Sequence, residues 1–137
     1  MTNTENVTTV HRQARDEMSG LSLTFLLGMG VNLIGLPSET NGSANTTTTI
    51  LLGLHILIGL GLVLGAVFAF VKARKTTFKS HALIGLISIA LTFIAGAMTV
   101  STKSNWWSYA MSVGFISDLW IYGTLFMKTR ATSAKNL

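Results

Sequence analysis

Few side chains in this sequence could do chemistry, and the first of them is Asp118. It lies inside a long apolar run, from about Trp106 to Met127. A carboxylate at the centre of such a segment costs roughly 2.5–3.5 kcal/mol to place in hydrocarbon. No Lys or Arg falls inside any apolar run of the chain to pair with it. Asp118 must therefore carry a proton, be hydrogen-bonded inside the protein, or meet water, a cation or a partner. One outcome is a protonated Asp118 bonded to Ser88, Thr92 or Asn32 and serving as glue between helices. The other is an exchangeable site for a proton or small cation.

His55 is the second candidate. Counted from the centre of its own apolar run, it lies roughly 7 Å toward one membrane face, and Asn32 lies roughly 6 Å toward the same face. Asp118 is less than two helical turns deeper. Asn32, His55, Ser88, Thr92 and Asp118 are the expected intramembrane polar site. A neutral imidazole there can bond Asn or Asp, ligate a metal or relay a proton. His81 falls at a membrane interface beside Lys79, and His11 in a polar N-terminal stretch expected to be solvated or to lie along the interface and to carry no chemistry. No catalytic constellation is present. There is no P-loop and no H-E-x-x-H, and no second carboxylate falls inside an apolar run. No base is paired with a Ser or Thr to make it a nucleophile. With no cysteine, thiolate chemistry and Cys-based metal sites are excluded. Enzyme activity is not expected, and the identity of any metal is open.

The elements that must position these groups are four apolar runs, at about 18–36, 49–71, 81–101 and 106–127. Each is near the roughly 20 residues that cross roughly 30 Å of hydrocarbon. The chain has 137 residues, 49% hydrophobic and only 11% charged. A soluble domain carries about 25% charged residues. The expected fold is an all-α membrane protein, a bundle of four transmembrane helices. A polar N-terminal segment (1–17) and a tail (128–137) flank the membrane domain (18–127). Nine of the ten Lys and Arg lie on one side, before the first span, between the second and third, and after the fourth; only Lys103 lies on the other. The positive-inside rule makes both termini cytoplasmic. It also gives the net charge of +5 a topological meaning, so no nucleic-acid partner is expected. The plasma (cytoplasmic) membrane is the expected location. Trp106 and Trp107 then anchor the outer interface. The outer loop holds two short Asn-x-Ser/Thr patterns, at Asn41 and Asn45, expected to form a polar turn.

Small and polar residues mark the faces along which membrane helices meet. Span three carries His81, Gly85, Ser88, Thr92, Ala95/Gly96 and Thr99 on one face. Span four stacks Gly114, Asp118 and Tyr122. Span one groups Gly28, Asn32 and Gly35, and span two His55, Gly59 and Ala66. Gly61 and Gly65 form a second small-residue seam on span two, expected to serve another copy of the chain or a partner.

Spans two and three also share a local repeat: His55-Ile-Leu-Ile-Gly59-Leu60 matches His81-Ala-Leu-Ile-Gly85-Leu86 at five of six positions. These twin H-x-x-x-G helices resemble those of small bacterial four-span proteins of cytochrome-b-like type. The resemblance covers spans two and three only. It implies haem b, ligated by histidine, with glycine leaving room for the porphyrin. The two histidines differ by roughly 20 Å in depth, too far apart to ligate one iron. His55 with Met98 or Met111, or ligation across a dimer, are the arrangements left. Three functions follow: haem-based electron transfer, transport of a proton or small cation through Asp118, or a non-catalytic accessory role in a larger membrane complex. A transport role needs a homo-oligomer, because four helices are few for a pore.

Overall fold

The computed structural model describes the backbone of residues 3–135 and the side chains of residues 5–132. Met1, Thr2, the Lys135 side chain and the last two residues of the tail, Asn136 and Leu137, lie outside the described residues. The described chain forms four α-helices and no strand: α1 (Asn3–Ile34), α2 (Gly42–Ala73), α3 (Lys79–Thr102) and α4 (Asn105–Lys135). All four are long and apolar enough to cross a membrane.

Helix packing follows the small residues. Gly20 of α1 meets Leu62 of α2, and Gly28 meets His55. Gly85 of α3 meets Tyr122 of α4, and Gly96 meets Met111. Met18 of α1 reaches Gly123 of α4, and Phe25 stacks on Phe115 with ring centroids 4.6 Å apart. In each pair of helices one residue number rises as the other falls, so neighbours are antiparallel. The helices form a ring in which each packs on the two beside it, and among the described residues the backbones of neither diagonal pair approach closely. Large apolar side chains cover the outside: Leu33, Leu64, Leu91 and Ile116 are all exposed. An apolar surface of that extent suits lipid rather than water.

Two stretches depart from the sequence expectation. The polar N-terminal segment, in its described part, packs one face on the bundle. From Asn3 onward it is the first four turns of α1, continuous with the first span. Val7, Val10, Ala14, Glu17 and Leu21 recur at alternating steps of three and four, one helix face, and all five are buried. His11 fixes this end of α1 to α4. Its Nδ1 lies 3.0 Å from Thr129 Oγ1 and 3.2 Å from the Phe126 carbonyl oxygen, and its ring stacks on Phe126 at 4.4 Å. With the Thr129 hydroxyl donating to the Leu125 carbonyl (2.8 Å), the ring N–H of His11 is the donor.

The outer loop is also shorter than expected. α1 ends at Ile34, where Gly35 adopts φ +105° and donates to the Val31 carbonyl (2.9 Å). Leu36 is extended before Pro37, the conformation a following proline favours. After one 3-10 turn, Pro37–Glu39, α2 starts at Gly42. Asn45 is therefore already helical. Its amide donates to the Thr40 carbonyl (3.2 Å), and Thr47 and Thr49 donate to the carbonyls of Ser43 and Asn45 (3.0 and 2.8 Å). The hydroxyls of this Thr-rich run bond within the helix, which makes a polar run compatible with it.

A buried carboxyl–tyrosine core as the candidate functional site

One layer of the bundle takes a residue from every helix. Glu17 of α1 sits against Gly65 of α2, and Tyr122 of α4 sits against Gly85 of α3. Met18 on Gly123 joins the two halves. A Cβ at Gly65 would displace the tips of Glu17 and Gln13, and one at Gly85 would overlap the rigid ring of Tyr122. At Gly85 it would lie 2.9 Å from both Cζ and the hydroxyl oxygen of Tyr122. The two glycines thus admit two large polar side chains into a narrow interior. Asp118 stands one turn along α4 from Tyr122, beside Ser88 and Thr92 of α3.

Three acidic groups meet in this core. Glu17 is 1% exposed, and Asp118 and Tyr122 are 0% exposed. Asp118 and Tyr122 lie within electrostatic reach of the Glu17 carboxyl. No ion pair links any of them to a base; the one salt bridge found among the described residues is Arg15–Asp16, on the surface. Hydrogen bonding is equally sparse. Glu17 Oε1 accepts from the Gln13 amide at 3.0 Å. Glu17 Oε2, both oxygens of Asp118 and the Tyr122 hydroxyl have no partner. Ser88 and Thr92 adjoin Asp118, but the Thr92 hydroxyl donates to the Ser88 carbonyl of its own helix (3.0 Å). Both hydroxyls come near enough to interact with Asp118, but neither contact has full hydrogen-bond geometry. An unsatisfied buried polar group costs about 1–3 kcal/mol, more if charged. Charge on the two carboxyls would raise that cost further, and a proton on each removes it.

The sequence-expected site is only partly assembled. Asp118, Ser88 and Thr92 come together. The inner stripe of α3 is inward-facing, with Gly85 and Ala95 buried and the others half-buried. Asn32 does not join them: it is exposed, because it projects from the last turn of α1. His55 faces α1, where its Nδ1 lies 2.8 Å from the Thr24 carbonyl oxygen and its ring lies on Gly28. The Gly61/Gly65 seam is split. Gly65 receives Glu17 and Gln13, whereas nothing lies within 4 Å of a Cβ at Gly61. Gly65 is therefore not available to a second copy.

Haem b does not fit the twin H-x-x-x-G helices. The space beside Gly59 is filled by the Phe93 ring, 3.3 Å from a Cβ there. The space beside Gly85 is filled by Tyr122. Met111 packs its sulfur on Gly96, 3.1 Å from a Cβ there. The glycines that the resemblance reserves for a porphyrin thus hold the chain's own side chains. His81 is engaged elsewhere, accepting from Lys128 Nζ at 2.8 Å.

Sequence reasoning missed Glu17 and Gln13 and the pairing of Glu17 with Asp118. Glu17 precedes the apolar run by one residue, so hydropathy alone places it in the polar N-terminal segment. The signal that finds it is the three-and-four spacing of Val7, Val10, Ala14 and Leu21, which runs straight through it. Comparison with family models, with curated proteins and with solved structures finds no match, so the core is read from its own chemistry.

Proposed function

We propose that this chain is a multi-pass membrane protein that carries protons, with Asp118 and Glu17 as the exchanging groups and Tyr122 between them. One observation carries the reading: two carboxyls and a phenol are buried together with four unsatisfied oxygen atoms and no cation beside them. A proton delivered to Glu17 Oε2 neutralises that carboxyl and removes the cost of burying its charge. A relay through Tyr122, whose hydroxyl has no partner at rest, requires that hydroxyl to come within hydrogen-bond distance of each carboxyl, accepting a proton on its oxygen as it releases its own to Asp118. Ser88 and Thr92 adjoin Asp118.

The basic residues orient the bundle in this reading. Lys72, Arg74, Lys75, Lys79 and Lys128 cluster at one end, with Arg12 and Arg15 near it, and that end faces the cytoplasm of a plasma membrane. Both termini are then cytoplasmic. At 1.5 Å per residue, Asp118 lies roughly 15 Å from the level of Lys128, near the bilayer midplane, and Glu17 is roughly one to two turns nearer that interface.

The test is proton flux into liposomes under an imposed potential, followed with an entrapped pH dye. Wild type conducts, and Asp118→Asn and Glu17→Gln do not, while both variants keep wild-type helicity. Flux unaltered by Asp118→Asn overturns the proposal. A second reading, an accessory subunit of a larger membrane complex, is favoured by the open face at Gly61. It predicts a single co-purifying partner lost on Gly61→Leu, with no flux from the isolated protein.

A further inference from the structure

Glu17 is buried, yet its one hydrogen-bond partner is not confined to the core. Gln13, whose amide holds Glu17 Oε1, also lines an open cleft of about 710 Å³ between the start of α1 and the end of α2. The cleft is walled by Glu5, Thr8, Thr9, Arg12, Gln13, Asp16 and Phe68. Lys72 Nζ lies over the Phe68 ring, 5.3 Å from its centroid, at the end of the bundle where the basic residues collect. Gln13 thus touches both the cleft and the acidic core.

We infer that this cleft is the port through which protons reach Glu17 from the side bearing the basic loop, with Gln13 as the positioning residue that opens and closes the connection. The inference rests on the proton-carrying reading and adds its side of access. Three features support it. Gln13 is anchored only at its tip, by a hydrogen bond between neutral and acidic side chains one turn apart on the same helix. Gly65, opposite that tip, leaves the space in which Gln13 and Glu17 meet. The cleft wall is polar and exposed, with Glu5 and Asp16 at its surface, Asp16 paired with Arg15 at 3.1 Å, so water in the cleft reaches as far as Gln13. Swinging the amide into the cleft frees Glu17 Oε1 and joins the core to that water. Swinging it back restores the 3.0 Å bond and closes the core.

The absence of cysteine makes the test direct. Gln13→Cys and Thr9→Cys, the latter on the cleft wall and outside the acidic core, are reconstituted in liposomes. Each is treated with a charged, membrane-impermeant methanethiosulfonate from one face at a time. The expected result is that modification from the face bearing Lys72–Lys79 reduces proton flux to that of protein-free vesicles, while the cysteine-free wild type is unaffected. Complete modification of Thr9→Cys, verified by mass, with flux unchanged overturns the port. So does block from the opposite face only. If Gln13→Cys is inactive before treatment, Thr9→Cys alone decides. A second measurement needs no flux. The infrared carbonyl band of Glu17, identified by its loss in Glu17→Gln, shifts as its proton exchanges with D2O. Modification of Thr9→Cys slows that shift if the cleft is the port and leaves its rate unchanged if it is not. Absent flux in wild type refutes the proton-carrying reading, and the exchange rate still decides the port.

Discussion

Replacing Gly85 with alanine is the sharpest test of how the core is built. The added methyl carbon would lie 2.9 Å from Cζ and from the hydroxyl oxygen of Tyr122 and 3.1 Å from Cε2. Carbon contacts settle near about 3.5–4.0 Å, so the ring must retreat by about 0.6 Å or more. Tyr122 is fully buried and a phenol ring does not bend, so α3 and α4 must part or the rotamer must change. Overpacking of this kind costs about 1–3 kcal/mol. Alanine regains about 1 kcal/mol of helix propensity over glycine. Gly61→Ala is the internal control, because it gains the same propensity and its methyl meets nothing within 4 Å. The two variants should differ by about 1–3 kcal/mol, about 5- to 140-fold in the unfolding equilibrium. Reversible unfolding in dodecyl maltoside–SDS mixed micelles, followed by far-ultraviolet circular dichroism, measures the difference. Adding Tyr122→Leu to Gly85→Ala should recover much of it, since the residues are in contact and their effects are not additive. Equal stability of Gly85→Ala and Gly61→Ala would refute the packing argument. It would mean that the space beside Gly85 is open, as a haem pocket requires.

Other consequences are as specific. Tyr122→Phe removes a buried hydroxyl that has no partner, so the bundle should gain up to about 1–3 kcal/mol while proton flux falls; a loss of stability would show that the hydroxyl is bonded. His11→Ala removes the bond to Thr129 (3.0 Å) and the stack on Phe126 (4.4 Å). It should cost about 1–3 kcal/mol, read in the same unfolding assay, with no change if residues 3–17 are a solvated arm after all. Asn32→Ala, at an exposed position, should leave both stability and flux unchanged; a loss of flux would return Asn32 to the site.

Much of this architecture was legible because membrane helices write their inner faces in small and polar residues. The Gly114–Asp118–Tyr122 face of α4 and the Gly85–Ser88–Thr92 face of α3 were readable from spacing alone, and they do meet. Asn32 misled because a polar residue in an apolar run reads as inward, whereas near a helix end it can project from the bundle. His55 and His81 misled differently. Their shared H-x-x-x-G pattern says that space exists beside each glycine, but not what fills it. Phe93 and Tyr122 come from other helices, and no local pattern pairs them with Gly59 or Gly85. Glu17 was hidden by the hydropathy boundary itself. Its neighbours Arg15 and Asp16 make the segment look aqueous, although the burial of Val10, Ala14 and Glu17 shows that one face of it belongs to the core.

The central claim is that Asp118 and Glu17 hold protons in a core without a counter-charge. Infrared spectroscopy of the protein in lipid at neutral pH tests it most directly, because protonated carboxyls and carboxylates absorb at separate frequencies. The account predicts a protonated-carboxyl band that loses one component in Asp118→Asn and another in Glu17→Gln. Carboxylate bands alone, unchanged in the protonated region by either substitution, would contradict it.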